Sequence, residues 1–285
     1  MLFTKAMNKF LLYLENRNYA ENTINDYRKR LRILKDWLEE RYNPMIYIDD
    51  ITFADLDDYL DWQQEKGNSG KTRNRDAYII SSFYKYLHKR DICDNVARKI
   101  EPVKTRKKER ECLTREELNR ILDAIEKPLI KIVTIFLYQT GCRINEVLSL
   151  KLADIDFDNN LLHIKQGKGN KNRNIALNSK LKSALKTYIK EDRPDVNTDY
   201  VFATKRTGSL SRSYYSRRLQ KAVKKADVNK KISPHSIRHS TAVALIKKGV
   251  DLATIKDILG HENIQTTSVY VHSDMTRIRD ALEAI

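Results

Sequence analysis

The sequence predicts a mainly α-helical chain whose second part also carries a small β-hairpin. Three observations predict it. Apolar side chains recur at helical spacing through most of the 285 residues. A proline and a run of like charge, Glu101-Pro-Val-Lys-Thr-Arg-Lys-Lys-Glu-Arg-Glu111, interrupt that rhythm. Beyond it, residues 154–178 lose the helical period and read as two short strands around a glycine-rich tip. The expected organisation is a helical domain over 1–102, a basic linker over 103–111, and a mixed α+β domain over 112–285.

The first helix is expected over 2–16, with Phe3, Met7, Phe10, Leu11 and Leu14 on one face. The second, over 22–41, repeats the pattern with Ile24, Tyr27, Leu31, Leu34 and Leu38, and leaves Arg28, Lys29, Arg32 and Lys35 on other faces. Thr52 caps a third helix that runs to Gln64 and ends at Gly67-Asn-Ser-Gly70. A fourth spans Lys71 to His88. Its first turns hold Lys71, Arg73 and Arg75, cations that oppose the helix dipole. Local stability does not explain them; a phosphate partner does, and ordinary surface charge is the alternative for each one singly.

After the linker, Thr114-Arg-Glu-Glu117 is a capping box opening a helix over 114–126. Helices are expected over 128–139 and 143–151, then a turn at Asp156-Phe-Asp-Asn-Asn160. Strands follow at Leu161–Lys165 and Arg173–Leu177, joined by Gly167-Lys-Gly-Asn-Lys171. Helices resume over 179–190, 211–226, 234–248 and 251–259.

Composition narrows the partners. Apolar residues make up 41% of the chain and charged residues 32%, with a net charge of +16 and a pI near 9.6. A chain this basic usually meets a polyanion, with nucleic acid the leading candidate. No apolar run approaches the ~20 residues that span a bilayer, and the start has no signal-peptide core. A cytoplasmic location, associated with the nucleoid, is the expectation. The cysteines Cys93, Cys112 and Cys142 are far apart and form no Cys-x-x-Cys pair, which argues against disulfides and a zinc site. Cys142 reads as a small buried residue. No cofactor and no metal is expected.

Four short strings carry chemistry: Gly141-Cys-Arg-Ile-Asn-Glu146, His235-Ser-Ile-Arg-His239, Leu259-Gly-His261, and Tyr270 within Thr-Thr-Ser-Val-Tyr-Val. Arg143 and Glu146 lie three apart on a helix face other than that of Ile144, Val147 and Leu148. Taken alone they read as a simple surface ion pair, with a carboxylate that steadies a neighbouring cation as the alternative. His235 and Arg238 are also three apart, at the start of a helix that Ser233 caps and Pro234 opens, a setting that favours anions. His239 reads as internal packing. Lys168 sits between two glycines at the hairpin tip, with Lys171 as its rival. His261 follows a glycine that ends a helix. Tyr270 is neutral at pH 7 unless a base or local charge assists it, since its ordinary pKa is near 10.

The ordered set Arg143-x-x-Glu146, Lys168 in a Gly-rich hairpin, His235-x-x-Arg238-His239, Leu259-Gly-His261 and Tyr270 resembles the tyrosine recombinases, above all the small two-domain Xer-like group and related transposon integrases. The resemblance covers nearly the whole chain. It implies a SAM-like core-binding N-terminal domain and a catalytic C-terminal domain closing as a clamp on double-stranded DNA. It implies Tyr270 as nucleophile forming a 3′-phosphotyrosyl link, and Arg143 and Arg238 as the clamp on the reacting phosphate. His235 and His261 would act as hydrogen-bond donors or proton carriers, Lys168 as general acid, and Glu146 as support, without metal or ATP. Lys71, Arg73, Arg75 and Lys171 are the expected DNA contacts. Met275, Ile278, Leu282 and Ile285 make an apolar stripe. The resemblance implies that the tail helix 275–285 is exchanged between protomers of a tetramer on two DNA sites; packing on its own domain is the alternative. The early start of the helices and the lack of an insertion before His235 tilt the expected role toward Xer-like chromosome-dimer resolution. Mobile-element integration by the same chemistry, a type IB topoisomerase and a non-catalytic DNA-binding protein are the other readings.

Overall fold

The structure is a computed structural model and describes residues 1–42, 44–105, 111–165 and 172–260. The chain forms two compact units, Met1–Lys108 and Glu109–Ile285.

The first unit is four helices, α1 (Phe3–Asn16), α2 (Glu21–Arg41), α3 (Phe53–Glu65) and α4 (Gly70–His88). α1, α2 and α3 each pack on α4, so their apolar stripes meet in one core. Phe3 and Phe10 reach Phe83 at ring separations of 5.5 and 5.4 Å, and Leu31, Leu34 and Tyr59 are buried in the same core. The helix starts follow side-chain chemistry. Thr52 and Asp55 form a reciprocal capping box on α3, and the Ser69 hydroxyl accepts from the Thr72 amide at the head of α4. Two carboxylates are buried here among the described residues: Asp55 in that capping box, and Asp76, which is ion-paired to Arg30 at 3.1 Å.

The second unit is built around α6 (Pro128–Thr140), which packs against α5 (Arg115–Ala124), α7 (Ile144–Leu148), α8 (Ser179–Thr187), α9 (Arg212–Lys225) and α10 (Pro234–Lys247). Ile130, Ile132, Val133, Thr134, Phe136, Leu137 and Thr140 are all buried, so α6 is covered on nearly every side. Its two threonines are satisfied internally: the Thr134 hydroxyl donates to the Ile130 carbonyl at 2.8 Å and meets the buried Tyr215 hydroxyl at 2.9 Å. α11 (Leu252–Leu259) closes a small apolar cluster with α10 through Ala242, Ile246, Ile255 and Leu259.

An antiparallel sheet of three strands, β1 (Ile155–Asp156), β2 (Leu161–Ile164) and β3 (Arg173–Ala176), runs in that order. The β2–β3 register pairs Leu161 with Ala176 and Ile164 with Arg173. The predicted turn at 156–160 is present, with the Asp156 carboxylate accepting from the Asp158 and Asn159 amides, and it joins β2 to the two-residue β1 that the pattern did not suggest. α7 is shorter than the predicted helix over 143–151. The Leu150 carbonyl accepts from the Val201 amide and the Leu152 amide donates to the Asp199 carbonyl, so a distant segment takes the bonds that a longer helix would use.

Candidate active site

The site forms where two helix ends face two arginine-bearing elements. α6 ends at Gly141 in the left-handed region (φ 62°), and α11 ends the same way at Gly260 (φ 64°). Glycine holds this conformation without the penalty a Cβ brings. Space demands it at Gly141 as well: a Cβ there would lie 2.5 Å from a Leu259 methyl. At Gly260 a Cβ would lie 3.0 Å from the Arg173 guanidinium. Both turns leave helix-terminal carbonyls without helical partners, and arginines take them. Arg238 donates from Nη1 to Gly141 O and from Nη2 to Leu259 O, each at 2.7 Å. Arg143 donates from Nη2 to Gly260 O at 2.7 Å.

Glu146, in the first turn of α7, ties the arginines together. Its Oε1 accepts from Arg143 Nη1 at 2.8 Å and Arg173 Nη1 at 3.1 Å. Its Oε2 accepts from the Arg143 backbone amide and Arg173 Nη2, both at 2.8 Å. Burial alone would raise this carboxyl, but the Arg173 fork, the Arg143 amide and the Arg143 guanidinium outweigh it and hold it at about 2. Burial likewise pulls Arg173 down, and the bonds to Glu146 more than compensate, so its pKa is raised.

Arg238 is only 3% exposed and makes no ion pair of its own among the described residues. Burial, reinforced by the neighbouring Arg143 charge, lowers its pKa to about 10. It stays protonated at neutral pH. Among the described residues the cluster therefore sets three guanidiniums against one carboxylate, which leaves two positive charges in excess. Such a site takes an anion, and a tetrahedral one with several oxygens suits planar donor forks.

The structure thus gathers Arg143, Glu146 and Arg238. His235 lies exposed in the first turn of α10, one turn before Arg238, where Ser233 caps the helix as the sequence suggests. His239 is buried within α10. Lys168, Lys171, His261, Tyr270 and the tail 275–285 lie outside the described residues. In the first unit, Lys71 and Arg75 share an exposed face of α4 with Tyr78, which is 66% exposed. Arg75 is paired with Asp26 at 2.7 Å, and Arg73 turns to Gln64 at 2.6 Å. Cys142 is buried, and burial pushes its thiol up to about 11.

Arg173 is the member that sequence reasoning passed over. Its signal was present: Arg173 and Ile175 on β3 alternate in register with Leu177 just beyond it, and Ile175 and Leu177 are buried, so the period of two puts a guanidinium on the inward face.

Comparison with known proteins agrees with this geometry. Residues 111–277 match the phage integrase family, and residues 7–91 match its N-terminal SAM-like domain. The chain is 32% identical to tyrosine recombinase XerC of Halalkalibacterium halodurans, covering 95% of this chain and 93% of that protein. It is 29% identical to tyrosine recombinase XerA of Pyrococcus furiosus, covering 99% and 94%. Among solved structures, the Tn1549 transposon integrase in complex with a circular intermediate DNA superposes with a TM-score of 0.83 at 21% identity over 100% of both chains. A lambda integrase dimer bound to a core site gives 0.79 at 19% identity over 95% of both.

Proposed function

This chain belongs to the phage integrase family of tyrosine recombinases, enzymes of DNA strand breakage and rejoining, and we propose how its own residues carry out that reaction. The Tyr270 phenolic oxygen attacks the scissile phosphorus. A bond from that oxygen to phosphorus forms, the bond to the 5′ oxygen breaks, and a 3′-phosphotyrosyl link and a 5′-hydroxyl result. The tyrosine proton leaves toward His235 or His261, and Lys168 supplies the proton that the 5′ oxygen takes up. Arg143 and Arg238 bind the non-bridging oxygens, whose charge grows in the transition state. Reversal with a different 5′-hydroxyl rejoins the strand. The phosphotyrosyl link keeps the bond energy, so neither ATP nor metal is called for.

The observation that supports this reading is the excess positive charge of the Arg143, Arg173 and Arg238 cluster over Glu146 among the described residues, with Arg143 and Arg238 both anchored on backbone carbonyls. We further propose that Lys71, Arg73, Arg75 and Lys171 contact the duplex, that four protomers act on two DNA sites with the tail 275–285 exchanged between them, and that the role is Xer-like resolution of chromosome dimers on nucleoid DNA in the cytoplasm. The test is a DNA site nicked next to the scissile phosphate, which traps a covalent adduct. Wild-type protein is expected to form it and Tyr270→Phe is not. Equal adducts from both proteins, or none from either, would overturn the assignment of Tyr270. For Lys168, alanine is expected to slow cleavage at a normal 5′ oxygen and to spare a 5′-thio leaving group; equal loss on both removes it as the acid.

A further inference from the structure

We propose that Arg173 is a positioning residue whose fork on Glu146 keeps Arg143 available to the substrate phosphate; the substrate part of this rests on the reading above. The argument is one of charge and valence. Glu146 is the carboxylate that the described residues bring into this cluster. With Arg143 as its sole cationic partner, it would neutralise Arg143 one to one. Arg173 binds both of its oxygens, at 3.1 and 2.8 Å, in the bidentate geometry that pairs guanidinium and carboxylate most strongly. Glu146 is thereby satisfied by Arg173, and its remaining contacts with Arg143 serve as orientation. The backbone amide of Arg143 on Oε2 fixes the start of α7, and the side-chain bond on Oε1 fixes the direction of the guanidinium.

The location of Arg173 supports this role. It is 14% exposed at the side chain, has Gly260 directly over its guanidinium, and reaches the Cys142 sulfur at 3.8 Å. It is thus wedged between the two left-handed glycine turns whose neighbouring carbonyls hold Arg143 and Arg238. Gly260 both covers Arg173 and accepts from Arg143, so a shift of one moves the other.

The experiment compares full-length wild type, Arg173→Gln, Glu146→Gln and the double variant in two assays. The first is the rise in melting temperature on adding inorganic phosphate, which needs no strand cleavage. The second is the rate of covalent adduct formation on the nicked site, with DNA affinity measured alongside. Arg173→Gln is expected to lower the phosphate-dependent rise and to slow adduct formation about tenfold or more, with DNA affinity nearly unchanged. The double variant removes the orphaned carboxylate as well. It is expected to recover toward wild type in both assays and to exceed Arg173→Gln. Removing both halves of a buried pair also restores folding, so the phosphate-dependent rise is read relative to each variant's own phosphate-free melting temperature and the rate at saturating DNA well below it, where a purely structural role would leave both at the wild-type value. Wild-type behaviour of Arg173→Gln, or a double variant no better than it, overturns the proposal. Should Arg173→Gln not fold, Arg173→Lys decides: a point charge cannot span both oxygens, so a several-fold slower reaction is expected and an unchanged rate refutes the idea. If the phosphate pattern holds while no protein forms an adduct, the Tyr270 chemistry fails and the role of Arg173 stands.

Discussion

Acid should weaken the second unit through Glu146 by an amount the geometry sets. The folded carboxyl sits at about 2 against an ordinary value of 4.5. At about 1.4 kcal/mol per pH unit that gap contributes about 3.5 kcal/mol of stability. Because the folded pKa is the lower one, the contribution is fully present above 4.5 and is lost as pH falls toward 2. Between pH 7 and pH 3.5 about 1.4 kcal/mol of it should disappear, a factor of ten in the folding equilibrium. Other carboxylates titrate over the same range, so the informative quantity is the stability gap between wild type and Glu146→Gln, in which they cancel. Urea unfolding followed by far-UV circular dichroism at both pH values measures it. The chain supplies its own control. Both of its tryptophans, Trp37 and Trp62, lie in the first unit, so tryptophan fluorescence reports that unit and should show no effect of Glu146→Gln. A gap that stays constant or widens at pH 3.5, or a tryptophan transition that moves with it, would refute the reasoning.

Gly141→Ala should cost about 1–2 kcal/mol for the left-handed backbone and more for the 2.5 Å approach to Leu259, whereas Gly67→Ala, at φ 75° with nothing within 4 Å, should cost the backbone part alone. Thermal melts showing equal losses would remove the contact from the argument. Tyr215→Phe should destabilise by about 1 kcal/mol, since it deletes a buried hydroxyl 2.9 Å from Thr134; no change in the urea midpoint would contradict that bond. Lys71→Ala should weaken binding to any duplex several-fold and flatten the log–log salt dependence by about one, with the adduct rate at saturating DNA unchanged. Arg75→Ala should do less because Asp26 already offsets that charge, and the reverse ranking in a salt titration would put the duplex elsewhere.

Local pattern made most of the helices legible. The apolar rhythm of α1 and α2 puts Phe3, Phe10, Leu31 and Leu34 inside, and they are inside. Thr52, Thr114 and Ser233 cap helices as their chemistry predicts. What local pattern missed is set by distant partners. α7 stops early because residues 150–152 bond to 199–201. Gly260 reads as a helix end and Gly141 falls between two predicted helices, yet nothing near them in sequence tells that Arg143 and Arg238 will occupy their turns, pairings that span 117 and 97 residues. Arg143 and Glu146 look like an exposed i, i+3 pair, and only the strand that brings Arg173 turns that pair into a buried network. Arg173 itself was readable as a charge on the inward face of a strand, a local conflict of the kind that marks function.

The anchors chosen for the arginines bear on rate. A buried guanidinium needs acceptors, and carboxylates would be the strongest. Arg238 instead uses two backbone carbonyls, and Arg143 uses one together with a carboxylate already matched by Arg173. Carbonyl dipoles hold a cation in place without cancelling its charge. The folded chain carries the cost of this arrangement in advance, visible in the pKa of Arg238 drawn down to about 10. A phosphodiester bears one negative charge, and an attacked phosphate spreads more charge over its free oxygens. On the mechanism proposed above, fixed cations in excess over carboxylate among the described residues gain more from the second than from the first, so this geometry would favour the transition state over the bound substrate. A carboxylate in place of either carbonyl would anchor Arg238 as firmly and remove that difference, which is why a glycine turn, with its exposed carbonyl and no side chain, suits this position.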